Sequence, residues 1–247
     1  MLGMRILVMS DVHANLTALE AVLNDTESES IDAVWCLGDL VGYGPDPNEC
    51  VARVRTLPDL ICLIGNHDQA ALGKIPLARF NVDARQAADW TRAALTEESM
   101  NYLLSLPSHV TTGQFTLAHG SPRQPVWEYI LDPQIADANF DAFQTDFCLV
   151  GHSHLPLIFH KPDQEAPTLP QAIPWDGSFA MTPRLILNPG SVGQPRDLDP
   201  RAAYALLDTE ALTWSPRRVS YAISDVQSRM HTAGLPERQA LRLAAGW

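Results

Sequence analysis

Apolar residues in this chain fall into short runs that stop abruptly at polar, turn-forming blocks. Met4 to Met9 is aliphatic and ends at Ser10-Asp11, which predicts a buried strand. Leu16, Leu19, Val22 and Leu23 then recur on one helical face, with Asn15 placed as an N-cap. A second strand is expected over Ala33 to Leu37, running into Gly38-Asp39. A helix over Asn48 to Thr56 follows, opened by Pro47, and a third strand over Leu60 to Ile64 ends at Gly65-Asn66-His67-Asp68. Strand, helix, strand, helix, strand is the pattern of a right-handed crossover α/β unit.

Residues 83–106 read as an inserted helical segment. Asp83 with Gln86 resembles a capping box, and Thr96 caps a second stretch that Pro107 stops. Short strands are expected over Phe115 to Ala118, Phe147 to Val150, Leu155 to His160, Leu185 to Leu187 and Ala202 to Asp208. A helix opened by Asp132-Pro133 separates the first two. Five prolines in 161–183 mark a surface excursion, and 222–247 reads as a helical tail broken at Gly234-Leu235-Pro236. All 247 residues are expected to form a single domain.

Composition narrows the class. Apolar residues make up 46% and charged residues 19%, so a packed core is affordable and wholesale disorder is excluded. The apolar runs are strand-length, and no signal peptide is apparent, so a cytoplasmic location without membrane association is expected. Cys36, Cys50, Cys62 and Cys148 show no paired spacing and are expected to be core thiols. A formal charge of −12 argues against a nucleic-acid polymer as partner, and no Lys/Arg-rich stripe supports a nuclease. A small phosphorylated substrate stays open, since bound cations would reverse the local potential.

Five polar blocks carry the chemistry: Asp11-x-His13, Gly38-Asp39, Gly65-Asn66-His67-Asp68, His119-Gly120 and Gly151-His152-Ser153-His154. Each begins where an apolar strand ends, and strand ends of an α/β sheet gather at one edge. Taken singly, most of these blocks are ordinary turn chemistry; their joint occurrence at strand ends is not. Asp, Asn and His donors without thiolate suit manganese, iron, zinc or cobalt. Their number exceeds what one such ion accepts, so two ions sharing a carboxylate fit.

These blocks resemble the calcineurin-like metallophosphoesterase superfamily, in its compact prokaryotic phosphodiesterase-like branch. The blocks His119-Gly120-Ser121-Pro122 and Asn188-Pro189-Gly190-Ser191-Val192-Gly193 extend the similarity. The resemblance implies an α/β (α+β) four-layer sandwich of two mixed β-sheets flanked by helices. It implies two divalent ions, manganese foremost, with iron, zinc, cobalt or nickel as alternatives. Asp11, His13, Asp39 and His154 would hold one ion; Asp39 would bridge to the second, held also by Asn66, His119 and His152. His67 would act on the leaving oxygen.

The chain departs from the family pattern in two places. Ser153 stands where threonine is usual. Gly42 and Tyr43 replace the Asp-Arg pair that orients the histidine and clamps a phosphate in protein phosphatases and diadenosine tetraphosphate hydrolases, which leaves His67 without an identified orienting partner. Arg123, Arg196 and Tyr43 are candidate substrate contacts, and Trp127 and Tyr129 are candidates for base stacking or packing. The expected activity is dinuclear-metal hydrolysis of phosphoesters, foremost a phosphodiesterase on a small molecule or nucleotide. Diadenosine tetraphosphatase-like or phosphomonoesterase activity is the alternative. A non-catalytic scaffold of the same fold would have no reason to keep His67 and all seven ligands. A homo-oligomer stays open.

Overall fold

The computed structural model describes residues 3–175 and 177–247. The expected crossover unit is present: β1 (Arg5–Met9), α1 (Leu16–Asp25), β2 (Ala33–Cys36), α2 (Pro47–Val54) and β3 (Ile61–Cys62), with β1, β2 and β3 paired in parallel. The Asn15 side chain accepts from the Ala18 amide at 3.0 Å and caps α1. Gly65-Asn66-His67-Asp68 is not a plain turn. It opens a short helix, α3 (Asn66–Ala71).

The insert consists of α4 (Val82–Ala94) and α5 (Glu97–Ser105). The oxygen that caps α4 belongs to Asn81, which accepts from the Ala84 amide at 2.9 Å. Asp83, expected to open the helix, instead lies in its first turn, where its charge favours the amide end. Then come β4 (His109–Thr112), β5 (Phe115–Ala118), α6 (Pro133–Phe140), β6 (Phe147–Leu149), β7 (Pro156–His160), β8 (Leu169–Pro170) and β9 (Phe179–Ala180). The chain closes with β10 (Leu185–Pro189), β11 (Ala202–Asp208), β12 (Thr213–Val219), α7 (Ile223–Thr232) and α8 (Glu237–Ala245).

Two mixed six-stranded sheets result, ordered β3-β2-β1-β11-β12-β9 and β4-β5-β6-β10-β7-β8. β12 was not expected, because Pro216 and two arginines break its apolar pattern. The strand tolerates proline because β9 pairs only with Thr213 and Trp214, so Pro216 needs no donor on that side.

Alternation along the strands sets four layers. Ile6, Val8, Trp35 and Leu37 face Phe115, Leu117, Phe147 and Leu187 between the sheets. Leu7, Met9, Val34 and Cys36 point the other way, onto Leu19 and Val22 of α1 and Val51 and Val54 of α2. Cys148, Phe159 and Ile186 turn to Ala136 and Phe140 of α6. Sheets covered on both faces explain the nearly unbroken apolar strands. Each such buried side chain contributes about 1.5–3 kcal/mol, against about 0–1 kcal/mol for an exposed pair such as Arg55–Glu98, so burial holds the layers. The four cysteines are buried and unpaired with one another. Among the described residues, no helix is long and apolar enough to cross a membrane. A further apolar cluster joins α4, α7 and α8 around Tyr43 and Phe80, at the sheet edge where the polar blocks gather.

Candidate metal centre

β1, β2, β5 and β6 deliver Asp11-His13, Asp39, His119 and His152-His154 from their carboxyl ends, while Asn66 stands at the start of α3. The backbone at these turns is strained. Asp11, His13, Asp39, His152 and His154 all have φ between 50° and 65°, a region disfavoured for residues with a Cβ. Strain of this kind, about 1–3 kcal/mol per residue, persists where surrounding structure enforces it and gathers at functional sites.

The side chains then converge. Ligating atoms of Asp11, His13 and His154 lie within 4.8 Å of one another, and so do those of Asp39, His119 and His152. Asn66 joins the second group, its Oδ1 standing 3.1 Å from His119 Nε2. Asp39 serves both: its Oδ2 lies 3.3 Å from His119 Nε2 and 3.7 Å from His13 Nε2. Its other oxygen accepts from the His67 amide at 2.8 Å, which fixes the carboxylate plane.

Hydrogen bonding on the far side of each ring shows what the near side must meet. Nδ1 of His13 faces the Val41 carbonyl at 3.2 Å, Nδ1 of His119 faces the Leu37 carbonyl at 2.9 Å, and Nδ1 of His154 faces the Gln194 carbonyl. A carbonyl only accepts, so each Nδ1 carries the proton, and a neutral ring turns an Nε2 lone pair inward. The Nε2 atoms of His13 and His154 stand 3.0 Å apart. Two lone pairs at that distance repel unless a cation lies against them. Asp11 Oδ1, Asp39 Oδ2 and His152 Nε2 are likewise buried with no hydrogen-bond partner. Such a donor set fits divalent cations, and the outer carbonyls are the supports that metal-ligating histidines use.

Electrostatics agree for His13, His152 and His154, and differ for His119. Burial holds His13, His152 and His154 far below the usual imidazole range, so they stay neutral and free to coordinate. Burial, reinforced by Asp39, pushes Asp11 up to about 6. For His119 burial works downward, but the Asp39 carboxylate beside it outweighs this and lifts it to about 9. Asp39 is raised by burial and lowered more strongly by His119 and His67, and ends below the usual carboxylate range.

His67 lies beside the cluster without touching its inner atoms. Its ring packs against Tyr43 at 4.3 Å, His13 at 4.9 Å and Phe80 at 5.0 Å between centroids. Burial lowers it to about 4, and its Nδ1 has no partner among the described residues. Asp68 does not orient it, because its two oxygens accept from the Val41 and Gly65 amides. Packing does. A Cβ on Gly42 (φ +91°) would stand 2.9 Å from His67 Cβ and Nδ1, so this glycine's backbone lies close against the ring. Gly42→Ala should displace the ring and lower kcat by about 100-fold, while metal content by elemental analysis stays unchanged.

The remaining candidates divide. Tyr43 is buried against His67 and belongs to the apolar cluster around Phe80. Arg196 lies at the rim, its guanidinium 5.9 Å from the Tyr43 ring and its Nη2 donating to Gln194 Oε1 at 3.0 Å. Arg123 is engaged elsewhere: its guanidinium is paired with Glu128, whose carboxylate also accepts from Ser121 Oγ and Asn139 Nδ2, an arrangement that braces the loop after His119. Burial raises the Glu128 carboxyl, but bonds from Arg123, Asn139 and Ser121 prevail and hold it at about 2, against 4.5 for a free glutamate. The stability from this depressed group is present above about pH 4.5 and is lost as pH falls through about 2. Acid-unfolding curves of wild type should therefore drop more steeply over that window than those of Glu128→Gln.

The block after Asn188 has a role that its sequence did not disclose. Asn188 Nδ2 donates to the Gly151 carbonyl at 2.7 Å and to Ser153 Oγ at 3.0 Å, and Ser191 Oγ donates to the Asp11 carbonyl at 2.8 Å. It ties two ligand loops together, and Ser153 supplies the hydroxyl needed. Tyr129 stacks on His152, centroids 3.9 Å apart and planes 19° apart. Arg79, Phe80 and Gln124, which line the adjoining cavity, were not singled out from the sequence.

Comparison with known proteins places the chain. Residues 4–212 match the calcineurin-like phosphoesterase superfamily domain. An uncharacterised protein of Methanocaldococcus jannaschii is 37% identical over 250 residues, spanning 98% of each chain. The crystal structure of a metallophosphoesterase from Sphaerobacter thermophilus is 48% identical, with a TM-score of 0.90 over 99% of this chain and 100% of that one. A symmetrical bis(5'-nucleosyl)-tetraphosphatase of Thioalkalivibrio sulfidiphilus is 30% identical over 179 residues, 67% of this chain and 62% of that protein. With these matches, the two mixed sheets and two clusters of inward-facing ligand atoms, the chain belongs to the calcineurin-like phosphoesterase superfamily and is a phosphoester hydrolase.

Proposed function

We propose that this chain is a dinuclear-metal phosphodiesterase acting on small-molecule or nucleotide substrates. The observation that carries the metal centre is the pair of imidazole Nε2 atoms of His13 and His154, 3.0 Å apart with both Nδ1 atoms already engaged. Asp11, His13, His154 and Asp39 would hold one cation, and Asp39, Asn66, His119 and His152 the other, with Asp39 shared. When bound, such cations supply Lewis acidity toward phosphate oxygens and lower the pKa of water. Manganese is our first choice of metal for this oxygen and nitrogen donor set.

The chain's own groups do the rest. Asp39 keeps the two groups of ligands in register. His67, beside the cluster and facing open space, donates to the leaving oxygen once the charge of a bound phosphate offsets the burial that otherwise keeps the ring neutral. Arg196, at the rim, offers its guanidinium to a non-bridging phosphate oxygen, a match of planar fork to oxyanion. A diester is favoured over a monoester because the space on the His67 side, about 360 Å³, admits a bulky ester group.

The test is a manganese-dependent panel of aryl phosphomonoesters, aryl phosphodiesters, cyclic nucleotides and dinucleoside polyphosphates. Turnover of diesters above monoesters supports the reading, and turnover of monoesters alone sinks it. The similarity to a bis(5'-nucleosyl)-tetraphosphatase favours a second reading, hydrolysis of dinucleoside polyphosphates. Gly42-Tyr43, in place of the Asp-Arg pair, stands against it.

A further inference from the structure

The cavity beside the centre has more structure than a diester group requires. His67, Asn66 and His152 form its floor, Phe80, Trp127 and Tyr129 line it, and Arg79 and Gln124 stand at the rim. Phe80 and Trp127 meet edge to face, centroids 5.9 Å apart. The Arg79 guanidinium lies 5.0 Å from the Trp127 ring and pairs with no carboxylate among the described residues. An unpaired guanidinium beside an active centre is notable in a chain of net charge −12, since nothing local neutralises it. A wall of aromatic faces with a few polar groups is the make-up of a pocket for a planar ligand. At about 360 Å³ it is at the small end of such pockets, enough for one ring system and its sugar but not for two.

We infer that this cavity receives the leaving half of the substrate and that this half is a nucleotide: the base lies on the Phe80–Trp127 wall and a second phosphate meets Arg79. The inference rests on the phosphodiesterase reading and names its substrate class. The phosphate to be cleaved would sit at the metal centre. One water is consumed: its oxygen bonds to phosphorus, and the P–O ester bond breaks with its electron pair kept by the leaving oxygen. A proton reaches that oxygen from the His67 side. The products are a phosphomonoester and a nucleotide with a free hydroxyl. Base–aromatic stacking tolerates any base, so Trp127 confers preference for nucleotides as a class, while the Gln124 amide at the rim is the group able to read a base edge.

Binding to the manganese-loaded protein separates this from a generic anion site, with AMP, adenosine and inorganic phosphate as probes in calorimetric titrations. Wild type should bind AMP at least 10-fold more tightly than phosphate. Trp127→Ala should weaken AMP by about 5- to 150-fold, the range of base stacking, with phosphate affinity unchanged. Trp127 also packs on Phe80, so Arg79→Gln, a change at an exposed position, gives an independent reading. It should weaken AMP by about 10-fold and leave adenosine unaffected. AMP binding no tighter than phosphate, or AMP affinity indifferent to both substitutions, overturns the assignment. Aryl diester turnover measured on the same preparation distinguishes the failures. Turnover without selective AMP binding removes the nucleotide pocket alone, whereas absence of turnover removes the phosphodiesterase reading and the leaving-half assignment with it.

Discussion

Asp39→Ala is expected to lower diester turnover on the order of 10⁴-fold and to reduce bound metal below two ions per chain. The size of the effect follows from where this carboxylate sits. Its Oδ2 is the inner oxygen nearest to both groups, 3.3 Å from His119 Nε2 and 3.7 Å from His13 Nε2, and it is buried without a hydrogen-bond partner. Removing it deprives both groups of ligands of their shared negative charge. It also frees the His67 amide that Oδ1 accepts from at 2.8 Å, so the start of α3 loses an anchor. Asp39→Asn separates these consequences, since an amide oxygen can still accept from His67 while the charge is gone. A loss in Asn as large as in Ala assigns the effect to charge at the centre; full activity and full metal content in either variant would refute the bridging role.

His67→Ala should behave differently, with a fall in kcat of about 10²–10⁴-fold and two metals retained. The imidazole contributes no atom to either group of ligands, so its loss leaves the centre assembled. On the proposed reading, what it removes is a donor to the leaving oxygen. The deficit should therefore shrink with p-nitrophenolate, which departs without help, and grow with an alkoxide leaving group. A deficit equal for both leaving groups would place His67 in substrate positioning instead. Loss of metal in His67→Ala would show that the ring supports the ligands through its contact with His13, 4.9 Å between centroids.

The centre was legible in the sequence because each ligand lies at the end of an apolar run, and strand ends share one edge of a sheet. Asp11, Asp39, His119 and His152 lie just beyond the ends of β1, β2, β5 and β6, so finding the strands located the side chains. The layer order was implied by the family resemblance, and in the structure it is carried by Ile6 and Val8 facing one way and Leu7 and Met9 the other. Elements that depend on a neighbour were hidden. Pro216 disguised β12, whose free edge appears only once β9 is seen to pair with two residues. Gly65 to Asp68 reads as a turn, since one of the two carboxylates that fasten the start of α3, Asp39, lies 28 positions from His67, while the other, Asp68, is within the block. The support of His67 was sought as a carboxylate, whereas it is the bare backbone of Gly42, a contact that leaves no chemical signature in sequence. Arg123 carried the right chemistry for phosphate but sits five residues from a partner, Glu128, that claims it. Trp127 was a stacking candidate from the sequence, whereas Arg79, Phe80 and Gln124 are ordinary residues until the segment before α4 folds beside the His119 loop and joins them to it in one wall.

Metal stoichiometry decides the central claim. Wild-type protein equilibrated with excess manganese, desalted and analysed for the element should carry two ions per chain, and His13→Ala and His119→Ala should each lose one while the other group of ligands stays filled. Wild-type protein that retains no manganese, or a single ion that both substitutions remove, would contradict a centre built from two groups joined by Asp39.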